Sequence, residues 1–263
     1  MANKYIIFAL ILFCMVFAGC GPSYPKDSVP VSIEKLLKKE YKLNGHAALV
    51  GQTVYLEIDL EGLISPEQKV LTEILKKVQG ASLIITRVSL SSDAKIKNMV
   101  LVVNEPKFDL NLRIIQRVED IKGFIYQKIS KADYEERLIL EIEPSENKPY
   151  TLEVEVSRNK DLDTKEFVGR LIVSQINMLS RSNPFLAVVL GNTQLRYIDF
   201  KENELVVGIS NSIAKPIVPF FEDIVNSQAS KITKKKIGLM PNKIRIIDNN
   251  NQSTIIDIKP KIK

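Results

Sequence analysis

The sequence predicts an α+β fold in which antiparallel hairpins pack with helices on one sheet face. Three observations carry that expectation. Segments such as 53–60 alternate apolar and polar residues, and strand-like segments such as 195–200 and 205–209 come in pairs across turn-forming residues. Between the pairs lie stretches whose apolar residues recur every three or four positions, as in Val70, Leu71, Ile74, Leu75 and Val78. The order then repeats. Residues 32–117 and 164–258 each read as helix, two strands, helix, two strands, so two helix-hairpin-helix-hairpin units are expected.

In chain order, Ser32 is expected to cap a short helix carrying Ile33, Leu36, Leu37 and Tyr41 on one face. Residues 47–50 and 53–60 form a strand pair about Gly51-Gln52. Ser65-Pro66-Glu67-Gln68 reads as a helix start, with Ser65 as cap, Pro66 at the first helical position and Gln68 bonding back. That helix runs at least to Val78. Gly80 permits a break, and residues 82–90 fit either helix or strand. Residues 96–103 and 108–115 form the next pair, and 118–129 a helix. Ser130 with Asp133 resembles a further N-cap. Residues 138–142 and 151–156 alternate apolar with acidic residues, which favours a hairpin across 144–149.

Arg158-Asn159-Lys160-Asp161 contains no apolar residue and is the expected domain boundary, dividing 31–160 from 161–263. Asp163 with Glu166 opens a helix through Phe167, Leu171, Val173, Ile176 and Leu179 that ends near Asn183-Pro184. Residues 195–200 and 205–209 form a hairpin, 216–230 a helix, and 244–247 with 254–258 the last hairpin, turned by residues 248–251.

The first twenty residues have another character. Lys4 precedes a run from Tyr5 to Ala18 without a charged side chain, and Phe17-Ala18-Gly19-Cys20 closes it. This is the layout of a secretory signal, and the run is too short to span a hydrocarbon core of roughly 30 Å. The closing motif resembles the lipobox of bacterial lipoproteins, with Phe17 where Leu is usual. The resemblance implies a signal peptide over 1–19, acylation of Cys20, and a membrane anchor through lipid on the extracytoplasmic side. Gly21 after the cysteine favours the outer membrane, facing the periplasm. Residues 21–30 hold three prolines and read as an extended tether. Two stretches, 87–93 and 120–134, are similar to segments of uncharacterised bacterial lipoproteins over roughly residues 30–145. That similarity implies no activity.

Hydrophobic residues at 45% and charged residues at 26% are globular values, so a sizeable core is expected. The net charge of +6 is concentrated late. Residues 231–263 hold nine Lys or Arg against Asp248 and Asp257. That basic end suits either an anionic surface or a solvated face. No nucleic-acid motif occurs, and an envelope protein is the expected partner besides the membrane.

Catalytic signals are weak. His46 is the one histidine and opens a strand with no partner placed near it. One His, with Cys20 lipidated and Cys14 in the leader, disfavours zinc ligation, and no cofactor motif is found. Ser-x-x-Lys occurs from Ser23, Ser32, Ser92, Ser145, Ser157 and Ser212, the frequency of chance in a Lys-rich chain. Lys-Thr-Gly does not accompany it. The adjacent carboxylates Glu119-Asp120, Glu135-Glu136 and Glu222-Asp223 diverge by about 100° on a helix. The expectation is a non-enzymatic, lipid-anchored binding or assembly module of the cell envelope, with no catalytic, cofactor or metal residues. An envelope hydrolase using carboxylates or a Ser/Lys pair is the first alternative, and a ligand-binding lipoprotein of a transport system the second.

Overall fold

The computed structural model describes residues 23–63, 67–144, 161–182, 194–209, 218–234, 241–248 and 250–258. The signal segment, Cys20, Ser65, Pro66 and the expected strand at 151–156 lie outside them. The chain is α+β, with two mixed sheets and six helices among the described residues. The first unit runs α1 (Val29–Leu36), β1 (Gly45–Val50), β2 (Thr53–Asp59), α2 (Gln68–Leu90), β3 (Asn98–Glu105) and β4 (Leu110–Arg117). Two short helices, α3 (Val118–Ile125) and α4 (Lys131–Glu135), lead to β5 (Ile139–Pro144). The second unit runs α5 (Thr164–Ser182), β6 (Leu195–Lys201), β7 (Glu204–Ile209), α6 (Val218–Lys234), β8 (Lys243–Ile247) and β9 (Ser253–Asp257).

The units share one topology. The first sheet has the order β1-β2-β3-β4-β5 and the second β6-β7-β8-β9. In each, two antiparallel hairpins meet along a parallel central pair, β2 with β3 and β7 with β8. The crossing helix between the hairpins enforces that direction, because parallel neighbours need a long connection. The match extends to single hydrogen bonds. The Gln52 carbonyl accepts from Lys97 N and Asn98 N, and the Asn203 carbonyl accepts from Asn242 N and Lys243 N. Val118 N donates to the Lys97 carbonyl at 2.8 Å, as Ile258 N donates to that of Asn242 at 2.8 Å.

Several elements differ from expectation for identifiable reasons. Ser23 to Pro30 is not an extended tether. Ser23 N and Tyr24 N both donate to the Ser91 carbonyl, and Lys26–Ser28 winds as a 3-10 turn directly into α1. The first helix therefore begins at Val29 rather than at Ser32, since Pro30 fits a first turn where its missing N–H is not needed. It continues as a π-helical segment, Leu37–Tyr41. Helix α2 does not break at Gly80. A Cβ there would lie 2.3 Å from the Tyr41 ring, so the glycine serves close packing of the two segments. Residues 82–90 are helical.

The helices were expected on one sheet face, and the first sheet is covered on both. Val54, Leu56, Ile58, Met99, Leu101 and Val103 pack beneath α1 and α2. Tyr55, Val100, Val102, Ile115 and Ile139 face the other way, into one core with α5 and the second sheet. In α5 the buried positions Phe167, Val168, Leu171, Ile172, Val173 and Ile176 span more than half the circumference. A helix apolar on that much of its surface sits between two layers. The order of layers is α1/α2, first sheet, α5/α6, second sheet. No helix among the described residues is long and apolar enough to cross a membrane.

Candidate functional site: a charged seam between the units

The densest polar construction lies where α5 meets the first sheet. Arg113 on β4 and Glu141 on β5 are register partners and point to the α5 side. Arg113 Nη1 donates to Glu141 Oε2 at 2.7 Å. Arg170, near the middle of α5, donates from Nη1 to both Glu141 oxygens at 3.0 and 2.9 Å. Its Nε reaches back one helical turn to Glu166 Oε1 at 2.9 Å, the geometry of an i, i+4 pair. The Arg170 guanidinium also lies 5.0 Å from the centroid of the Tyr197 ring on β6. One side chain thus touches both sheets.

The network is largely out of water: the Arg113, Glu141 and Arg170 side chains are 4%, 12% and 11% exposed. Burial alone would raise the Glu141 carboxyl, but the Arg170 and Arg113 guanidiniums outweigh it and hold it below the ordinary carboxylate range. Glu166 shifts the other way. Its burial raises it, and Arg170 offsets only part of the rise. Burial also raises the Tyr197 hydroxyl.

Uncharged side chains extend the seam along α5. Ser174 Oγ donates to the Leu140 carbonyl and accepts from Leu140 N, both at 3.2 Å, occupying the outer edge of β5. Asn177 clasps the backbone of Leu195 in the same way, with both contacts at 2.9 Å. Beside these residues lies a cleft of about 160 Å³ lined by Glu141, Arg170, Ser174, Asn177, Arg196 and Tyr197. A second junction forms at the start of the unit. Asp161 Oδ1 accepts from Gln52 N at 3.0 Å and Thr53 Oγ1 at 3.2 Å. Asn98 Nδ2 donates to the Leu162 carbonyl at 2.6 Å. The expected boundary residue Asp161 is therefore a fastening point.

The residues singled out from sequence do not converge. His46 is exposed on β1, opposite Glu57 in register. Ser145, Ser157 and Ser212 lie outside the described residues. Ser32 sits on α1, Ser23 N donates to the Ser91 carbonyl, and Ser92 bridges to Tyr24 and accepts from Ala94 N. Glu119 and Asp120 differ in burial, though both reach the Arg117 guanidinium. Asp120 is buried against Arg117 at 3.1 Å and Arg137 at 2.8 Å, and Glu119 is exposed. Among the described residues no three His, Cys, Asp or Glu side chains are placed to hold a metal ion.

Of the seam residues, Glu166 stood out in the sequence as a capping residue of α5, while Arg113, Glu141 and Arg170 did not. One signal was present: Arg170 lies within the apolar run Phe167-Val168 and Leu171-Ile172, where a long cation needs a buried partner. No protein-family model, curated protein or solved structure matches the chain.

Proposed function

We propose that this chain is a lipid-anchored protein of the bacterial cell envelope whose two-unit body is a non-enzymatic binding or assembly module. The observation that carries the reading is the closed character of the seam. Two guanidiniums and two carboxylates are matched against one another, and Ser174 and Asn177 are each committed to backbone. A general base or nucleophile needs a free face toward a substrate. The side chains gathered here instead set how one unit sits on the next, which suits a rigid platform. The leader and Cys20 supply the address.

The test is mass spectrometry of the full chain extracted from membranes, with crosslinking in intact cells and Cys20→Ala in parallel. A diacylglyceryl adduct on Cys20 and a partner set lost in Cys20→Ala are expected. An unmodified Cys20, or turnover of peptidoglycan by the purified chain, would overturn the reading.

A further inference from the structure

We infer that the α3–α4 excursion is a second membrane contact, seating the body on an anionic lipid bilayer with one end of the first sheet facing it. The inference rests on the lipid-anchor reading and adds an orientation to it.

Ser23 N is held by the Ser91 carbonyl at 2.9 Å, and Asp93 N donates to the Tyr24 carbonyl at 3.3 Å. Cys20 precedes Ser23 by three residues, a reach of no more than about 10 Å. An acyl chain on Cys20 therefore brings this end of the body against the headgroups.

The register shows which residues share that end. Thr53, Asn98 and Arg117 are neighbours across β2, β3 and β4, and β5 enters opposite Ile115. The excursion over residues 118–138 thus leaves and re-enters the sheet at the end where residues 91–97 and Ser23 lie. It carries the longest exposed apolar run among the described residues: Phe124, Ile125 and Tyr126 are 39%, 54% and 68% exposed. Phe124 stacks on Tyr134 with ring centroids 5.1 Å apart, which fixes the run in place. The exposed lysines Lys122, Lys128 and Lys131 flank it. Of the acids in the excursion, Glu119 pairs with Arg117, Asp120 with Arg117 and Arg137, and Glu135 with Lys131. Asp133 accepts from Ser130 Oγ, and Glu136 is exposed, so Lys122 and Lys128 are the lysines offered to lipid. An aromatic and an aliphatic tip ringed by lysines is the chemistry of a bilayer interface. There rings sit at headgroup depth and ammonium groups meet lipid phosphates.

The chain contains no tryptophan, so a single introduced one reports its own surroundings. The experiment uses the full acylated chain on phosphatidylethanolamine vesicles containing phosphatidylglycerol, with and without brominated acyl chains. Tyr126→Trp is the probe. Phe108→Trp is the control, at the opposite end of the strands in a turn where Phe108 is 52% exposed. Expected is a blue-shifted emission for Tyr126→Trp that brominated lipid quenches severalfold, with Phe108→Trp unaffected. Vesicle flotation with an unquenched Tyr126→Trp overturns the docked orientation and leaves the anchor standing. A blue shift without bromine quenching overturns it in favour of a protein covering the patch. A chain without acyl on Cys20 overturns the anchor and the orientation together.

Discussion

Glu141→Gln is the most severe small change that the seam geometry predicts. Glutamine keeps the shape of the side chain and one acceptor oxygen but removes the negative charge between Arg113 and Arg170. Those guanidiniums are 4% and 11% exposed and cannot shed a proton, so in the variant both lose the carboxylate they share. Breaking a buried ion pair from one side costs about 3–5 kcal/mol. For a chain of this size that lowers the melting temperature by roughly 6–20 °C, at about 2–4 °C per kcal/mol.

The pH dependence has a definite sign. The Glu141 carboxyl is held low in the folded state. Its stabilisation is therefore fully present above the unfolded carboxylate value of about 4.3 and lost as pH falls through the lower folded value. Chemical denaturation of wild type and variant at neutral and at acid pH measures both quantities, and the gap between them should narrow in acid. A companion variant replacing Arg113, Glu141, Glu166 and Arg170 together by Met, Leu, Gln and Met should cost much less than Glu141→Gln, because no charge of the network is left unmatched. Equal stability of Glu141→Gln and wild type at neutral pH would refute the claim that the seam is electrostatically closed.

Glu166→Gln should behave in the opposite sense, because burial raises this carboxyl. Ionising it in the folded protein costs stability as pH rises through its folded value, so the neutral variant should match or exceed wild type at pH 7 in urea titrations. Asp161→Ala removes the acceptor for Gln52 N and Thr53 Oγ1, and should cost about 1–3 kcal/mol. Hydrogen exchange should show faster opening at Gln52 in that variant than in wild type. Gly80→Ala should destabilise despite the higher helix propensity of alanine, since its Cβ would lie 2.3 Å from the Tyr41 ring. Combining it with Tyr41→Ala should recover much of the loss, read as non-additivity in a double-mutant cycle. Tyr134, whose hydroxyl is pushed up to about 12 by burial, contributes stability that fades as pH rises from about 10. Tyr134→Phe should flatten that alkaline decline.

The strands and helices were legible because each carries a local period. The alternation at β2, the capping pair Asp163 and Glu166, and the Ser130 cap correspond to bonds that are present: Glu166 N donates to Asp163 Oδ1 at 2.8 Å, and Asp133 N to Ser130 Oγ at 3.1 Å. The repeated order of elements was legible for the same reason. The seam was not. Leu138 to Ile142 alternates apolar with acidic residues, and alternation reports only that a strand has two different environments. On β5 the acidic side is the inner one: the Glu141 side chain is 12% exposed, while Leu140 and Ile142 on the other face are 42% and 44% exposed. The inversion comes from Arg170, 29 residues further on, and no pattern inside the strand contains it.

The same logic explains why the two sheets differ at equivalent positions. The shared bonds at Gln52 and Asn203, and at Val118 and Ile258, align Tyr55 with Val206, Val100 with Arg245, Val102 with Ile247 and Ile115 with Ile255. In the first unit all four residues are buried beneath α5, none more than 1% exposed. In the second unit Ile255 is 50% exposed, and Arg245 pairs with Glu204. One backbone pattern therefore takes a dry seat in one unit and a half-wet face in the other. The difference comes from α5, which covers this face of the first sheet and is not part of either hairpin's own residues.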